Sequence, residues 1–374
     1  MRELYVGLMS GTSMDGIDAA LVEFDQHHIT LRASHSKPIP PALKHKLQLL
    51  SLDATEASID MLGEADTELG QLFASATLQL LQSADTDPSD ITAIGCHGQT
   101  IRHRPDLEYR FSLQIGDANQ ITHLTGITTV NDFRRRDIAA GGEGAPLAPA
   151  FHQQVFSSPE ENRAVLNIGG ICNLTYLPAH SNGDTNSTCF GFDCGPGNGL
   201  MDAWVQLHKQ QAYDQSGQWA ASSAADPALL AQLMSDPFLQ QPPPKSTGKE
   251  HYHLDWLQQQ LATVSELPPE QVQATLNQFT CESVATAVKQ YLPSIKRLIM
   301  CGGGVHNSHL FNGLQRCLPD IHIESSEQHG VHPDWVEAMA FAWLARQTLQ
   351  GLPGNLPAVT GADRQLVLGS ITHA

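Results

Sequence analysis

Three glycine-rich segments and a few isolated charged side chains carry whatever chemistry this sequence performs. The first segment is Gly11, Thr12, Ser13, Met14, Asp15, Gly16, Ile17 and Asp18. Its glycines permit close backbone approach and its hydroxyls can donate to phosphate oxygens, although hairpin turns are also glycine-rich for purely conformational reasons. It is not a Walker A loop, because no GxxxxGK[ST] occurs and the stretch KSTGK at Lys245–Lys249 lacks the first glycine and a preceding strand. The second segment is Phe192, Asp193, Cys194, Gly195, Pro196, Gly197 and Asn198, immediately before a helix starting near Leu200. A carboxylate there either caps local backbone or serves as a general base held over a phosphate site. The third is Gly302, Gly303 and Gly304, where missing side chains would let a flat base or ribose lie on the backbone. For the triplet alone, a tight strand-to-helix turn is the simpler account.

Six further residues at four places in the sequence are charged or titratable. Arg134, Arg135 and Arg136 follow Asn131 and Asp132, and three consecutive arginines ordinarily form a solvated surface. His97, between Cys96 and Gly98 at a strand end, reads as a satisfied core histidine. Glu337 lies near the start of the terminal helix, where an acidic residue favours the helix dipole. Asp117 follows Ile115 and Gly116 and either caps the next helix or touches a ligand.

The elements that must position these residues follow from apolar patterning. LYVGLM and IDAALVEF, Leu4–Met9 and Ile17–Phe24, are apolar runs around a small-residue turn and predict a hairpin. A third strand is expected near His28–Ser34, a helix over Thr55–Ser83, strands at Ile91–Cys96 and Arg110–Ile115, a helix over Asp117–Leu124 and a strand at Ile127–Val130. Arg163–Leu177 repeats the opening pattern as AVLNI, a Gly169–Gly170 turn, and ICNLTYL. That predicts duplicated architecture, not a short-period repeat. Downstream come a turn at Gly191–Gly199, a proline-rich loop at Pro242–Pro244, helices over Leu254–Leu261 and Pro269–Tyr291, a strand at Arg297–Met300 and a helix over Pro333–Leu349. The glycine- and proline-rich tail is expected to lack regular structure. Two glycine hairpins, one positioned aspartate and a late glycine turn, in this order, point to a duplicated ATPase lobe pair around a nucleotide.

Bulk properties agree with this reading. A chain of 374 residues suits two domains. With 41% hydrophobic and 16% charged residues it is globular in composition, and no run approaches the roughly 20 apolar residues of a membrane span. The run Leu4–Met9 is too short for a signal-peptide core, so a cytoplasmic chain is expected. Seven cysteines without a CxxC pair argue for reduced thiols over disulfides or zinc. The net charge of −18 disfavours nucleic acid and leaves only 21 Lys and Arg for an anionic ligand, so backbone N–H groups must do much of any phosphate binding.

The motifs GLMSGTSMDGIDAAL, GCHGQT, NDFRRRDIAAGGEGAPL, NIGGICN, FDCGPGN, CGGGVHN and PDWVEAMAFAWLA, in order from Tyr5 to about Leu344, closely resemble the anhydro-N-acetylmuramic acid kinase family. The resemblance implies an α/β, two-lobed sugar kinase, Hsp70 and actin-like fold. Each lobe would be a ribonuclease H-like five-stranded mixed sheet with flanking helices, with ATP and Mg²⁺ in the cleft. The implied lobes are 1–131 plus 355–374, with the first phosphate motif and part of the sugar site, and 132–354, with the second phosphate motif, the catalytic aspartate and the adenosine motif. The implied reaction opens 1,6-anhydro-N-acetylmuramic acid and phosphorylates O6. Asp193 would be the catalytic base. ATP would be held by the Gly11–Asp18 segment and by Asn167, Gly169, Gly170, Gly195, Gly197, Asn198, Gly302, Gly303 and Gly304. The sugar would meet His97, Asp117, Arg134 and Glu337, with Asp117 keeping its capping alternative, and no metal ligand is assigned. Met9 and Ser10 stand where relatives in the wider superfamily often place an aspartate. A homodimer is implied, and neither a membrane nor nucleic acid is an expected partner. Against this stand an ordinary free-sugar kinase and an actin- or Hsp70-like nucleotide switch.

Overall fold

The computed structural model describes residues 2–11, 14–25, 28–52, 57–179, 188–248, 250–292 and 294–374. Along the chain come β1 (Glu3–Met9), β2 (Gly16–Phe24), β3 (Ile29–Pro38), α1 (Pro41–Ser51), α2 (Ile59–Ser83), β4 (Ile91–Cys96), β5 (Gln99–Arg104), β6 (Phe111–Ile115), α3 (Ala118–Thr125) and β7 (Thr129–Asn131). They are followed by α4 (Arg135–Ala139), α5 (Ala148–Phe156), β8 (Arg163–Ile168), β9 (Ile171–Leu177), β10 (Phe190–Pro196), α6 (Gly199–Lys209), α7 (Pro227–Met234), α8 (Pro237–Gln240), α9 (Leu254–Leu261) and α10 (Pro269–Tyr291). The last elements are β11 (Arg297–Cys301), α11 (Ser308–Cys317), β12 (His322–Ser325), α12 (Val336–Leu349), α13 (Pro357–Thr360) and β13 (Ser370–Thr372).

The chain divides into two compact units, Met1–Phe151 with Gly330–Ala374, and His152–His329. The first is built on a sheet ordered β13-β7-β4-β1-β2-β3, the second on a sheet ordered β10-β9-β8-β11-β12. In each, a three-strand antiparallel meander (β1–β3, β8–β10) is extended by two parallel strands (β4 and β7, β11 and β12). The duplication expected from the two glycine hairpins is therefore a duplication of sheet topology.

Each sheet has its own core. In the first unit Val6, Leu8, Ile17, Leu43, Leu69 and Phe73 pack together. Helix α2 joins this core because its buried residues Ala65, Leu69, Phe73, Thr77 and Leu80 recur at helical spacing, and Ser58 caps its start by accepting from Met61 N–H. The residue at which this helix was expected to start, Thr55, lies outside the described residues. In the second unit Leu166, Leu174, Phe192, Leu276, Phe279 and Leu298 pack around α10.

Three expectations change. The unit division differs from 1–131 plus 355–374 and 132–354, because residues 132–151 and 330–354 pack on the first sheet. Phe133 meets Phe341, Asp137 bonds Asn355 and Thr360, and alanine-rich α12 lies directly on β1 and β4. A Cβ on Gly7 or Gly95 would collide with the α12 carbonyls of Ala338 or Phe341, which is why those strand positions are glycine. The tail expected to lack regular structure contributes α13 and β13, and β13 pairs antiparallel with β7 through Ile371 and Val130, so the first sheet has six strands rather than five. Asp193, expected in a turn, sits in β10, because Phe190–Pro196 pairs with β9 from Tyr176 to Ile171.

Candidate active site

In the first unit, the C-terminal ends of β1 and β4 and the start of α12 bring several candidate residues near one another. His97 N–H donates to Leu8 C=O, and the His97 ring packs on Phe341 of α12 at 4.7 Å. Its Nε2 accepts from Arg134 Nε at 3.2 Å and Nη2 at 2.8 Å. Because an arginine only donates, the imidazole proton is assigned to Nδ1. That nitrogen has no hydrogen-bond partner among the described residues; only the backbone of Gly98 and Ser10 beside it favours the protonated form. Burial, then the Arg134 charge, pull His97 down to about 3, so it is neutral at physiological pH. Burial also lowers Arg134, to about 10, while Glu337 and Asp137 act in the opposite direction, so it remains a cation.

Arg134 is further fixed by donating from Nη1 to Gly144 C=O at 2.8 Å. The Gly144 loop is in turn pinned by Asp137, fully buried, which accepts from Gly144 N–H, Asn355 Nδ2 and Thr360 Oγ1. With three guanidinium N–H groups so used, two of the five remain for an anionic or hydroxyl ligand. Arg135, by contrast, is exposed and pairs with Asp132 at 2.6 Å, a local surface bridge.

Glu337 and Asp18 add two carboxyl groups to the same unit. Burial raises the Glu337 carboxyl, with Arg134 lowering it and Asp18 raising it. The side chain is nonetheless open to solvent, so the environment is that of a recessed group rather than a sealed core. Asp18 is half-buried and raised first by burial; a Ser36 hydrogen bond lowers it and Asp334 raises it. Asp117 caps α3 by accepting from Asn119 N–H at 2.8 Å, so the capping half of its two readings is present.

The first glycine segment is only partly described, since Thr12 and Ser13 lie outside the described residues. Met14 is buried with φ 55° and closes the turn by donating from N–H to Gly11 C=O. Asp15 is exposed and pairs with Lys44 at 2.7 Å, Gly16 opens β2, and the Ile17 side chain belongs to the core. Of these residues, Ile17 has only backbone to offer a phosphate, and that backbone is in register with Lys37 in the β2–β3 ladder.

In the second unit three glycine-bearing segments converge. Gly197 and Gly199 N–H donate to Gly170 C=O, Asn198 N–H donates to Gly169 C=O at 2.7 Å, and Asn198 Nδ2 donates to Ile168 C=O. Gly302, at φ 79°, approaches Asn167 and Ile168 too closely for any Cβ, and β11 carries Cys301 in register with Asn167. Asn167, Gly169, Gly170, Gly197, Asn198 and Gly302–Gly304 are thus neighbours. Gly195 is different: at φ 143° its bare Cα faces Ser283 and Leu239, so it makes room for protein rather than for a ligand.

Asp193 stands on β10 four residues before Gly197. Its Oδ2 accepts from Ser246 Oγ and from Thr247 N–H, both at 2.9 Å, and its own N–H donates to Lys245 C=O at 3.1 Å. Burial raises the carboxyl, these two hydrogen bonds lower it, Glu250 raises it and Lys245 lowers it. Oδ1 accepts no hydrogen bond among the described residues. A half-buried carboxylate with one tethered and one open oxygen can take a proton. The Lys245–Thr247 contacts escaped the sequence reading, which set KSTGK against a Walker A pattern only; a Ser-Thr-Gly cluster after three prolines was the signal available. Gln99 of the GCHGQT motif is buried and accepts from Ser10 Oγ at 2.7 Å.

None of the seven cysteines forms a disulfide, and six of them are buried. Among the described residues no helix is long and apolar enough to cross a membrane, and no three His, Cys, Asp or Glu side chains group as a metal site.

Among solved structures, the activator of the 2-hydroxyisocaproyl-CoA dehydratase from Clostridium difficile with bound ADPNP matches 94% of this chain and 99% of its own at TM-score 0.49 and 12% identity, a distant likeness only. Anhydro-N-acetylmuramic acid kinase of Coxiella burnetii (strain Dugway 5J108-111) is 50% identical over 370 residues, covering 99% of this chain and 97% of that one. The protein of that name from Shewanella pealeana is also 50% identical, with 99% and 98% covered. The model of the anhydro-N-acetylmuramic acid kinase family matches residues 3–374, and the chain belongs to that family.

Proposed function

We propose that this protein is an ATP-dependent kinase that opens 1,6-anhydro-N-acetylmuramic acid with water and phosphorylates O6, giving N-acetylmuramic acid 6-phosphate and ADP in cell-wall recycling in the cytoplasm. The reading rests on family membership over nearly the whole chain and on one local observation, the open Oδ1 of a tethered Asp193 beside the second-unit glycine turns.

The substrate's O6 is locked in an ether, so there is no 6-hydroxyl to deprotonate. Asp193 Oδ1 takes a proton from water instead. The water oxygen bonds to C1, the C1–O6 pair goes to O6, O6 bonds to the γ-phosphorus, and the bond from that phosphorus to the ADP oxygen breaks. Phosphoryl transfer needs chiefly positioning and charge stabilisation. Backbone around Gly169–Gly170, Gly197–Asn198 and Gly302–Gly304 holds the nucleotide. Arg134, with two N–H groups free, takes the lactyl carboxylate, and Glu337 takes sugar hydroxyls. His97 orients Arg134 from behind and, uncharged, adds no competing cation.

Mg²⁺, when bound, neutralises charge on the transferring phosphate, and such sites use one or two carboxylates plus phosphate oxygens. Asp18 fits that part: it is half-buried, its neighbours Asp334 and Glu337 are acidic, and a cation would offset the excess negative charge.

A coupled ATP-to-ADP assay offering 1,6-anhydro-N-acetylmuramic acid, N-acetylmuramic acid and N-acetylglucosamine separately tests the reading. ADP release is expected with the anhydro sugar only. Turnover with a free sugar only would make this an ordinary sugar kinase, and no sugar-dependent turnover would favour a nucleotide switch.

A further inference from the structure

The segment between the prolines Pro242–Pro244 and Gly248 is tied to Asp193 by three hydrogen bonds. Asp193 N–H donates to Lys245 C=O at 3.1 Å, while Ser246 O–H and Thr247 N–H both donate to Oδ2 at 2.9 Å. The strap is itself anchored. Lys245 is buried, its Nζ donates to Phe238 and Leu239 C=O at 3.1 Å each, and it lies 4.7 Å from the centre of the Phe238 ring. Those carbonyls belong to α8, whose start is capped by Asp236, itself bonded to His251 Nε2 at 2.9 Å.

A lysine that spends its charge on two backbone carbonyls is not available as a phosphate ligand; its position serves the strap. Both donors meet the same carboxylate oxygen, which fixes the rotation of the carboxyl group and leaves Oδ1 without a partner among the described residues. We propose that Ser246 and Thr247 are positioning residues for the catalytic base, holding Oδ2 of Asp193 so that Oδ1 alone faces the attacking water.

This inference rests on the reading of Asp193 as the base. It adds a consequence for acidity: burial raises the carboxyl and the two donors oppose that effect, so the strap keeps the base ionised at lower pH than its surroundings would allow.

The test is the pH profile of kcat/KM for the anhydro sugar in Ser246→Ala, Ser246→Cys and Ser246→Thr, with Asp193→Asn as control. Ser246 is exposed, so removing its hydroxyl does not threaten the fold. Losing one donor to the carboxylate should move the acid limb up by about one pH unit in Ser246→Ala, less in Ser246→Cys with its weaker donor, and little in Ser246→Thr. KM for ATP should stay within about twofold. An acid limb that is unmoved in Ser246→Ala, while Asp193→Asn is inactive, overturns the strap's role and leaves the base intact. A fully active Asp193→Asn overturns the base reading and the strap with it.

Discussion

Replacing His97 with Gln should remove an acid sensitivity that the first unit carries because it keeps a neutral imidazole buried under a guanidinium. His97 is 5% exposed, and burial and Arg134 together hold it near 3, against about 6.5 when unfolded. A base whose folded value is depressed contributes stability that is fully present above the unfolded value and is lost as pH falls through the window from 6.5 towards 3. At pH 5, one and a half units into that window, the loss is about 2 kcal/mol at roughly 1.4 kcal/mol per unit. That is a large share of a typical unfolding free energy of about 5–15 kcal/mol. His152 in the second unit, 2% exposed and also held near 3 by burial, should contribute a similar amount there. Urea denaturation at pH 7, 6 and 5 separates the two: His97→Gln, whose amide oxygen can still accept from Arg134, should flatten the pH dependence by about 2 kcal/mol while His152→Gln flattens the other half. A wild-type stability that is level from pH 7 to 5, or a His97→Gln protein with the full wild-type slope, would refute the neutral, Nε2-accepting assignment.

Arg134→Lys keeps the charge but loses the fork that engages His97 Nε2 and Gly144 C=O together. KM for the sugar should rise about ten- to a hundredfold in steady-state kinetics, with the ATP KM little changed. An unchanged sugar KM would take Arg134 out of the site. Asp137→Ala strands the three buried donors on Gly144, Asn355 and Thr360 and should cost at least about 3 kcal/mol by chemical denaturation; a stability within about 1 kcal/mol of wild type contradicts the pinned loop. Gly7→Ala drives a methyl into the Ala338 carbonyl and should cost about 2 kcal/mol or more, and a neutral effect would contradict the direct seating of α12 on β1.

The sequence made the strands with long apolar runs legible. Leu4–Met9, Ile17–Phe24, Ile91–Cys96 and the Arg163–Leu177 hairpin appear within a residue or so of where patterning places them, because a buried strand is written as a continuous apolar run. Short elements stabilised by partners far along the chain were not legible. Strand β13 has three residues and exists by pairing with β7 some 240 positions earlier, and β10 reads as a glycine turn until β9 lies beside it. Helix α12 was found, but not its allegiance to the first sheet, which depends on the bare faces of Gly7 and Gly95.

Among the candidate site residues, Asp193 and the glycine turns stand out in the sequence by type and order. Their supports did not. Asp137, Ser246 and Thr247 act through contacts across sequence separations that no local pattern encodes, and the same holds for the pairing of Arg134 with His97 Nε2.

The central claim, that Asp193 activates water to open the bridge as O6 is phosphorylated, is tested most directly by a single turnover in ¹⁸O-water with excess enzyme, quenched before anomeric exchange. One ¹⁸O on C1 of the 6-phosphorylated product, none in the phosphate, and no product from Asp193→Asn are expected. Label in the phosphate, or an unlabelled C1 in a ring-opened product, would contradict it.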